Sequence, residues 1–201
     1  MNQFTTRRNF FKQSAVLAAG ATLLPRTVRA ASPNETVRVA VIGCNGRGMN
    51  HITAWLQVPN TEIVWICDVD ARAVEKGTAA VRKKQTRQPR GTSDLRRVFD
   101  DAGVDAVSIA TPDHWHAPAT IMACAAGKHV YVEKPGSHNL RESEWIVAAA
   151  RKHQRVVQMG NQRRSWPWVA EAIAALHGGE LGRLCFARGW YTNHRAPIGK
   201  G

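Results

Sequence analysis

No uninterrupted apolar stretch of the chain reaches the roughly 18 residues that a membrane-spanning helix takes, so no stable membrane insertion is expected. Cysteine is sparse. The four residues Cys44, Cys67, Cys124 and Cys185 fall in or beside apolar segments and lack the paired spacing of a zinc site or a disulfide framework, and they are read as structural thiols. No set of Cys, Asp or Glu ligands surrounds His114 and His116, so no metal is expected there. Acidic residues are outnumbered, 15 against 28 Lys and Arg, for a formal net charge of +13. The excess is densest over residues 82–90, but that stretch has no interleaved aromatics. It reads as a solvated helix end and loop, and no nucleic-acid partner is expected. Internal repeats, low-complexity linkers and heptads are also missing.

What the chain does have is an apolar strand feeding a glycine-rich turn: Val37-Arg38-Val39-Ala40-Val41-Ile42-Gly43-Cys44-Asn45-Gly46-Arg47-Gly48. Such a turn brings backbone N–H groups close to phosphate oxygens, and the helix that follows presents its positive end to the same anion. The pattern predicts a dinucleotide, with Gly43, Cys44, Asn45, Gly46, Arg47 and Gly48 around its pyrophosphate. Asn45 stands at the second position of G-x-G-x-x-G, where it is expected to tolerate a left-handed backbone. Asp68, 20 residues beyond Gly48 at the end of the next apolar run, is placed to accept hydrogen bonds from the adenosine ribose. A carboxylate there repels a 2′-phosphate and favours NAD; Arg72, one turn on, keeps NADP open.

At the N-terminus, Thr6-Arg7-Arg8-Asn9-Phe10-Phe11-Lys12 precedes a short apolar stretch over 14–24 and a small-residue exit near Ala30. This predicts a twin-arginine signal over residues 1–30, hence the twin-arginine export machinery as partner and a periplasmic or exported location. Its removal would leave 171 residues and lower the net charge to +8.

Beyond residue 36, apolar runs and helical patterns alternate. Strands are expected near 37–42, 62–67, 105–110, 129–132 and 156–159, and helices near 46–56, 70–83, 93–101, 116–126 and 140–153. The short helix at 93–101 is expected to start at Ser93, and the alanine-rich stretches 119–126 and 146–150 to pack closely on the sheet. The alternation predicts an α/β fold, a doubly wound parallel sheet of Rossmann type. Right-handed crossovers would gather Gly43, Asp68, Thr111, Glu133 and Gly160 on one sheet edge. A helix near 166–177 and a strand near 184–191 follow.

With Glu133-Lys134-Pro135 at the end of a strand in this pattern, the chain resembles the Gfo/Idh/MocA oxidoreductases, the family of glucose–fructose oxidoreductase and inositol 2-dehydrogenase. The resemblance also rests on the turn at 43–48, Asp68, Thr111-Pro112-Asp113-His114-Trp115-His116, Ala126-Gly127-Lys128-His129-Val130 and Gly160-Asn161-Gln162-Arg163-Arg164. It implies that Lys134 lies beside the nicotinamide and the reacting carbon as the catalytic residue. Glu133 would contact the cofactor ribose or hold Lys134, and Pro135 would fix the turn. Thr111, Pro112 and His116 would line the nicotinamide side, and Asn161 or Arg163 would reach substrate. Trp115 either stacks on a ring or packs against the next helix.

The resemblance further implies a second α/β domain supplying a substrate pocket and a histidine in an Asp-x-x-x-His segment. Residues 34–160 are accordingly assigned to an NAD(P)-binding domain and 161–201 to the opening of a substrate domain. The implied activity is hydride transfer between a carbohydrate or polyol and a nicotinamide cofactor. The alternatives are an NAD-dependent glycosidase working by transient sugar oxidation, and a nucleotide-binding fragment without catalysis.

Overall fold

The computed structural model describes residues 36–192; the signal expected over 1–30 lies outside them. The chain divides into two compact units, the first ending at Met159 and the second beginning at Gly160. Among the described residues no helix is long and apolar enough to cross a membrane.

The first unit is built on a six-stranded sheet. Its strands are β1 (Val37–Ile42), β2 (Thr61–Cys67), β3 (Arg90–Thr92), β4 (Ala106–Ile109), β5 (His129–Val132) and β6 (Val157–Met159). They are ordered β3-β2-β1-β4-β5-β6, and every pairing is parallel. The helices between them are α1 (Arg47–Trp55), α2 (Ala71–Arg82), α3 (Leu95–Phe99), α4 (His116–Ala125) and α5 (Leu140–Lys152). β1 is apolar without alternation because it is paired on both edges and covered on both faces: Val39, Ala40, Val41 and Ile42 are 0–2% exposed. Ala40 and Ile42 join Val107, Ile109, Phe99 and Ala123 in one core layer, while Val41 joins Ile52, Ile66 and Val81 in the other. Each fully buried aliphatic side chain of this kind contributes roughly 1.5–3 kcal/mol.

The pleat explains the layers and the caps explain the helix ends. Asp70, Asp94 and Asn139 cap α2, α3 and α5, each carboxylate or amide oxygen accepting a first-turn N–H. α4 closes in a Schellman turn at Gly127 (φ +77°), with the Lys128 N–H on the Ala123 carbonyl and the Gly127 N–H on that of Cys124.

Several expectations change. β3 was hidden in a stretch read as loop: only three residues long and without an apolar side chain, it is held by pairing with β2 and by Arg90 lying 4.4 Å over the Trp65 ring. Helix α3 starts after Asp94 rather than at Ser93, because the Asp94 carboxylate takes the Arg96 N–H at 3.0 Å. The 146–150 stretch leaves Val147 exposed and buries only Ala149, α5 leaning chiefly on α4. Cys44, Cys67 and Cys124 are buried, but Cys185 is exposed. Within the second unit, a 3-10 turn (Gln162–Ser165) and helix α6 (Pro167–His177) form, whereas 184–191 adopt no strand and lie exposed.

The join between β1 and α1 is the tightest point. Gly43 has φ +84°, and a Cβ on it would lie 2.7 Å from backbone atoms of Ala110 and Thr111. A Cβ on Gly48 would lie 1.8 Å from the Gly43 carbonyl oxygen. Asn45 keeps a negative φ, so the left-handed residue of the turn is Gly43. Gly48→Ala forces backbone against backbone and is expected to cost about 3 kcal/mol. Urea unfolding checks this, and an unchanged midpoint would contradict it.

Candidate functional site

Four strand ends reach one edge of the sheet, and each residue just past a strand donates its N–H to a neighbouring segment. Gly43 bonds to the Cys67 carbonyl (2.8 Å), Ala110 to Ile42 (2.8 Å), Glu133 to Ile109 (2.9 Å) and Asp68 to Thr92 (3.2 Å). The strand order reverses at β1 and β4, where open α/β sheets leave a crevice. A cleft of about 1040 Å³ opens there, its walls including Gly43, Asn45, Gly46, Arg47, Asp68, Thr111 and Pro112.

α1 is uncapped at this cleft. Gly46 provides no side-chain hydrogen bond, and the first turn contains no acidic residue. A Cβ on Gly46 would meet nothing within 4 Å. Helix N–H groups with no side-chain cap beside open space suit a pyrophosphate, so the residues present fit the dinucleotide.

Asp68 is anchored as well as displayed. One carboxylate oxygen accepts the Cys44 N–H at 2.6 Å and the other the Asp70 N–H at 3.0 Å. Cys44 therefore serves through its backbone. Burial, then the Asp68 and Cys67 charges, push its thiol up to about 12, so it is not a nucleophile at neutral pH. Gly48 is buried against Gly43 and does not line the cleft.

Beyond the ends of β2 and β3 the cleft is lined by residues that sequence reasoning did not find: Val69, Asp70, Ser93, Asp94, Leu95 and Arg96. The same small device occurs twice, after β2 and after β3. Asp70 caps α2 and grips the Arg72 guanidinium at 3.0 and 2.9 Å; Asp94 caps α3 and grips Arg96 at 2.9 and 2.8 Å. The bonded guanidinium holds each carboxyl below its usual range. The repeated Asp-x-Arg following a strand end was the available signal, masked by the brevity of β3.

The 113–116 segment sorts its side chains sharply. His114 and Trp115 line the cleft, Trp115 with 44% exposure. His116, expected on the nicotinamide side, is 2% exposed and serves as a pin. One ring nitrogen lies 2.8 Å from the Thr111 carbonyl oxygen and the other against that of Pro135, so the ring bridges the loops after β4 and β5. The Lys134–Pro135 peptide, in the loop after β5, is cis.

Glu133 also departs from its expected contact with ribose. It is 4% exposed and lies under α1, accepting from Arg47 Nε at 2.7 Å and His51 Nε2 at 3.1 Å on one oxygen, and from the Lys134 N–H at 3.1 Å on the other. Its hold on Lys134 is through the backbone amide. The Lys134 side chain is exposed. Asn161 and Arg163 belong to the second unit, where the Arg163 guanidinium lies 5.7 Å over the Trp166 ring.

Sheet order, uncapped helix and terminal aspartate together define a dinucleotide-binding Rossmann domain. Residues 37–161 match the oxidoreductase family with an NAD-binding Rossmann fold, Gfo/Idh/MocA, and the chain belongs to that family. It is 33% identical to inositol 2-dehydrogenase 4 of Saccharopolyspora erythraea, covering 83% of this chain and 48% of that one. It is 32% identical to a glycosyl hydrolase family 109 protein of the same organism, covering 80% and 36%. Among solved structures, the WlbA dehydrogenase of Bordetella pertussis, in complex with NADH and UDP-GlcNAcA, superposes with a TM-score of 0.66 at 26% identity, covering 75% of this chain and 42% of that one. The chain thus spans less than half the length of these relatives.

Burial alone would raise the Glu133 carboxyl, but the hydrogen bonds from Arg47, His51 and the Lys134 amide outweigh it and hold the group below the usual range. A depressed folded value gives stability that is complete above the unfolded glutamate value, about 4.3, and is lost as pH falls through the lower folded value. Denaturant titrations between pH 3 and pH 7 should show this acid-side loss in the wild type. Glu133→Gln should flatten that slope, and an unaltered slope would contradict the assignment.

Proposed function

We propose that this chain is the nucleotide-binding part of an NAD-dependent oxidoreductase acting on a sugar or polyol. The observation that carries the reading is the placement of Lys134. It sits one residue past a buried carboxylate that binds its backbone N–H, beside a proline whose carbonyl is pinned to the loop after β4. In this reading the N-terminus of α1 and the amides around Asn45 and Gly46 receive the pyrophosphate, and Asp68 accepts from the adenosine ribose. Thr111, Pro112 and Trp115 wall the nicotinamide end. The engagement of Arg72 by Asp70 supports NAD over NADP, because it leaves carboxylates rather than a ready cation at the ribose.

The nicotinamide, when bound, supplies the hydride acceptor. Oxidation of a carbinol then releases a hydride from carbon and a proton from oxygen, and Lys134 orients that hydroxyl and takes or relays the proton. Asn161 and Arg163, in the segment 161–201 read as the opening of a substrate domain, are assigned to substrate contact. Likeness to the inositol dehydrogenase and to a dehydrogenase of a nucleotide sugar supports this substrate class.

A second reading is supported by the likeness to glycosyl hydrolase family 109 proteins: an NAD-dependent glycosidase with no net change in cofactor. One assay separates the two. The full-length protein is given NAD with polyols, free sugars and chromogenic glycosides. Steady NADH formation that Lys134→Ala abolishes while NAD still binds is the expected outcome, and unchanged turnover in that variant would remove Lys134 from the chemistry. Aglycone release without accumulating NADH would select the glycosidase.

The Arg7-Arg8 pair and its context support export by the twin-arginine route to the periplasm. Replacing both arginines with lysine should keep the full-length protein in the cytoplasmic fraction. Undiminished export of the doubly substituted chain would refute the twin-arginine route.

A further inference from the structure

His51 is a buried titratable group for which the reading above has no use. It lies in the second turn of α1, 5% exposed, between Ser108 of β4 and Glu133 at the end of β5. Its Nδ1 is 2.9 Å from the Ser108 hydroxyl and its Nε2 is 3.1 Å from Glu133 Oε1. The edge of the ring meets Tyr131 at 5.4 Å between centroids. Burial lowers the imidazole below its usual value against the opposing pull of Glu133, so the ring is neutral at neutral pH. A carboxylate only accepts, which places the single ring hydrogen on Nε2 and leaves Nδ1 to accept from the Ser108 hydroxyl. The direction of every bond follows. Ser108 donates to His51; His51 and Arg47 donate to one oxygen of Glu133, and the Lys134 amide donates to the other.

We infer that His51 is a positioning residue for Lys134, acting through the Glu133 carboxylate. The inference rests on the assignment of Lys134 to the chemistry. Arg47 also donates to that carboxylate, but its side chain is 44% exposed and lines the cleft. His51 is fixed by burial, by Ser108, which is wholly buried, and by the Tyr131 ring. It supplies the stationary half of the grip. Removing its N–H takes the buried donor from the Glu133 carboxylate and loosens the hold of that carboxylate on the Lys134 amide. α1 starts at the phosphate-binding turn, so the same side chain ties that turn to the segment bearing the lysine.

The test uses the full-length protein and three substitutions: His51→Leu removes the donor, His51→Gln restores an N–H near the position of Nε2, and Ser108→Ala releases the ring while leaving the helix intact. Two readouts are taken, amide hydrogen exchange at Lys134 and the separation of kcat from NAD affinity. For His51→Leu, exchange at Lys134 should rise about tenfold. Its kcat should fall by roughly tenfold or more, with the Kd for NAD within about twofold. His51→Gln should recover most of both, and Ser108→Ala should fall between.

Unchanged Lys134 exchange in a folded His51→Leu variant overturns the inference. So does a glutamine variant no better than leucine, which would mean that the ring only fills space. Should His51→Leu fail to fold, Ser108→Ala decides by the same exchange measurement, and wild-type protection there overturns the inference. If the wild type turns over no sugar or polyol, the oxidoreductase reading fails, and hydrogen exchange still judges His51 separately.

Discussion

The arrangement of the nucleotide-binding unit depends on how closely one backbone atom approaches another. The Cα of Gly48 lies so near the Gly43 carbonyl that any side chain there would overlap it. That contact sets where α1 leaves the turn and how it lies on the sheet. With α1 in place, Ile52 enters the core beside Val41 and Ile66, and His51 reaches Ser108 and Glu133 across the ends of β4 and β5. The uncapped end of the same helix faces the cleft. The close approach therefore serves packing and ligand geometry together, which is why no other residue type substitutes for glycine at this point.

Much of the fold was legible because it is written in long patterns. β1, β2 and β4 are nearly pure apolar runs, as strands covered on both faces must be, and α1, α2 and α4 carry helical spacing with recognisable ends such as Gly127. What was missed is short or context-dependent. β3 has three residues and exists through its neighbour β2 and the Trp65–Arg90 contact. The apolar-rich run over 184–191 suggested a strand, yet a strand forms only where another edge accepts its hydrogen bonds, and among the described residues no strand pairs with it.

The site was legible in its residue types more than in their duties. Gly43, Asn45, Gly46, Arg47, Asp68, Thr111 and Pro112 meet at one cleft. Glu133, expected either on the ribose or holding Lys134, and His116, expected on the nicotinamide side, are both buried in the scaffold, because a carboxylate and an imidazole that find several backbone and side-chain partners inside the protein become buried there. Ser93, Asp94 and Arg96 escaped notice because their role depends on β3, whose three residues bring the α3 cap to the rim. The Asp-x-Arg repeat was visible along the chain, but its place at the rim was not. That place follows from which strand ends become neighbours.

The parallel pairing of β1 has a consequence during synthesis. Its partner on one side, β4, begins roughly 65 residues later in the chain, since Val39 pairs with Ala106. At about 5–20 residues per second, several seconds separate the emergence of the two strands from the ribosome. During that interval the most apolar strand of the unit has one edge unsatisfied, and its side chains lack the layer formed with Val107, Ile109 and α4. Sheets closed by such distant pairings fold slowly and expose adhesive surface while they wait. Until β4 and β5 are made, that side of β1 has neither its hydrogen-bonding edge nor its covering layer, so the sheet closes only once those late strands exist.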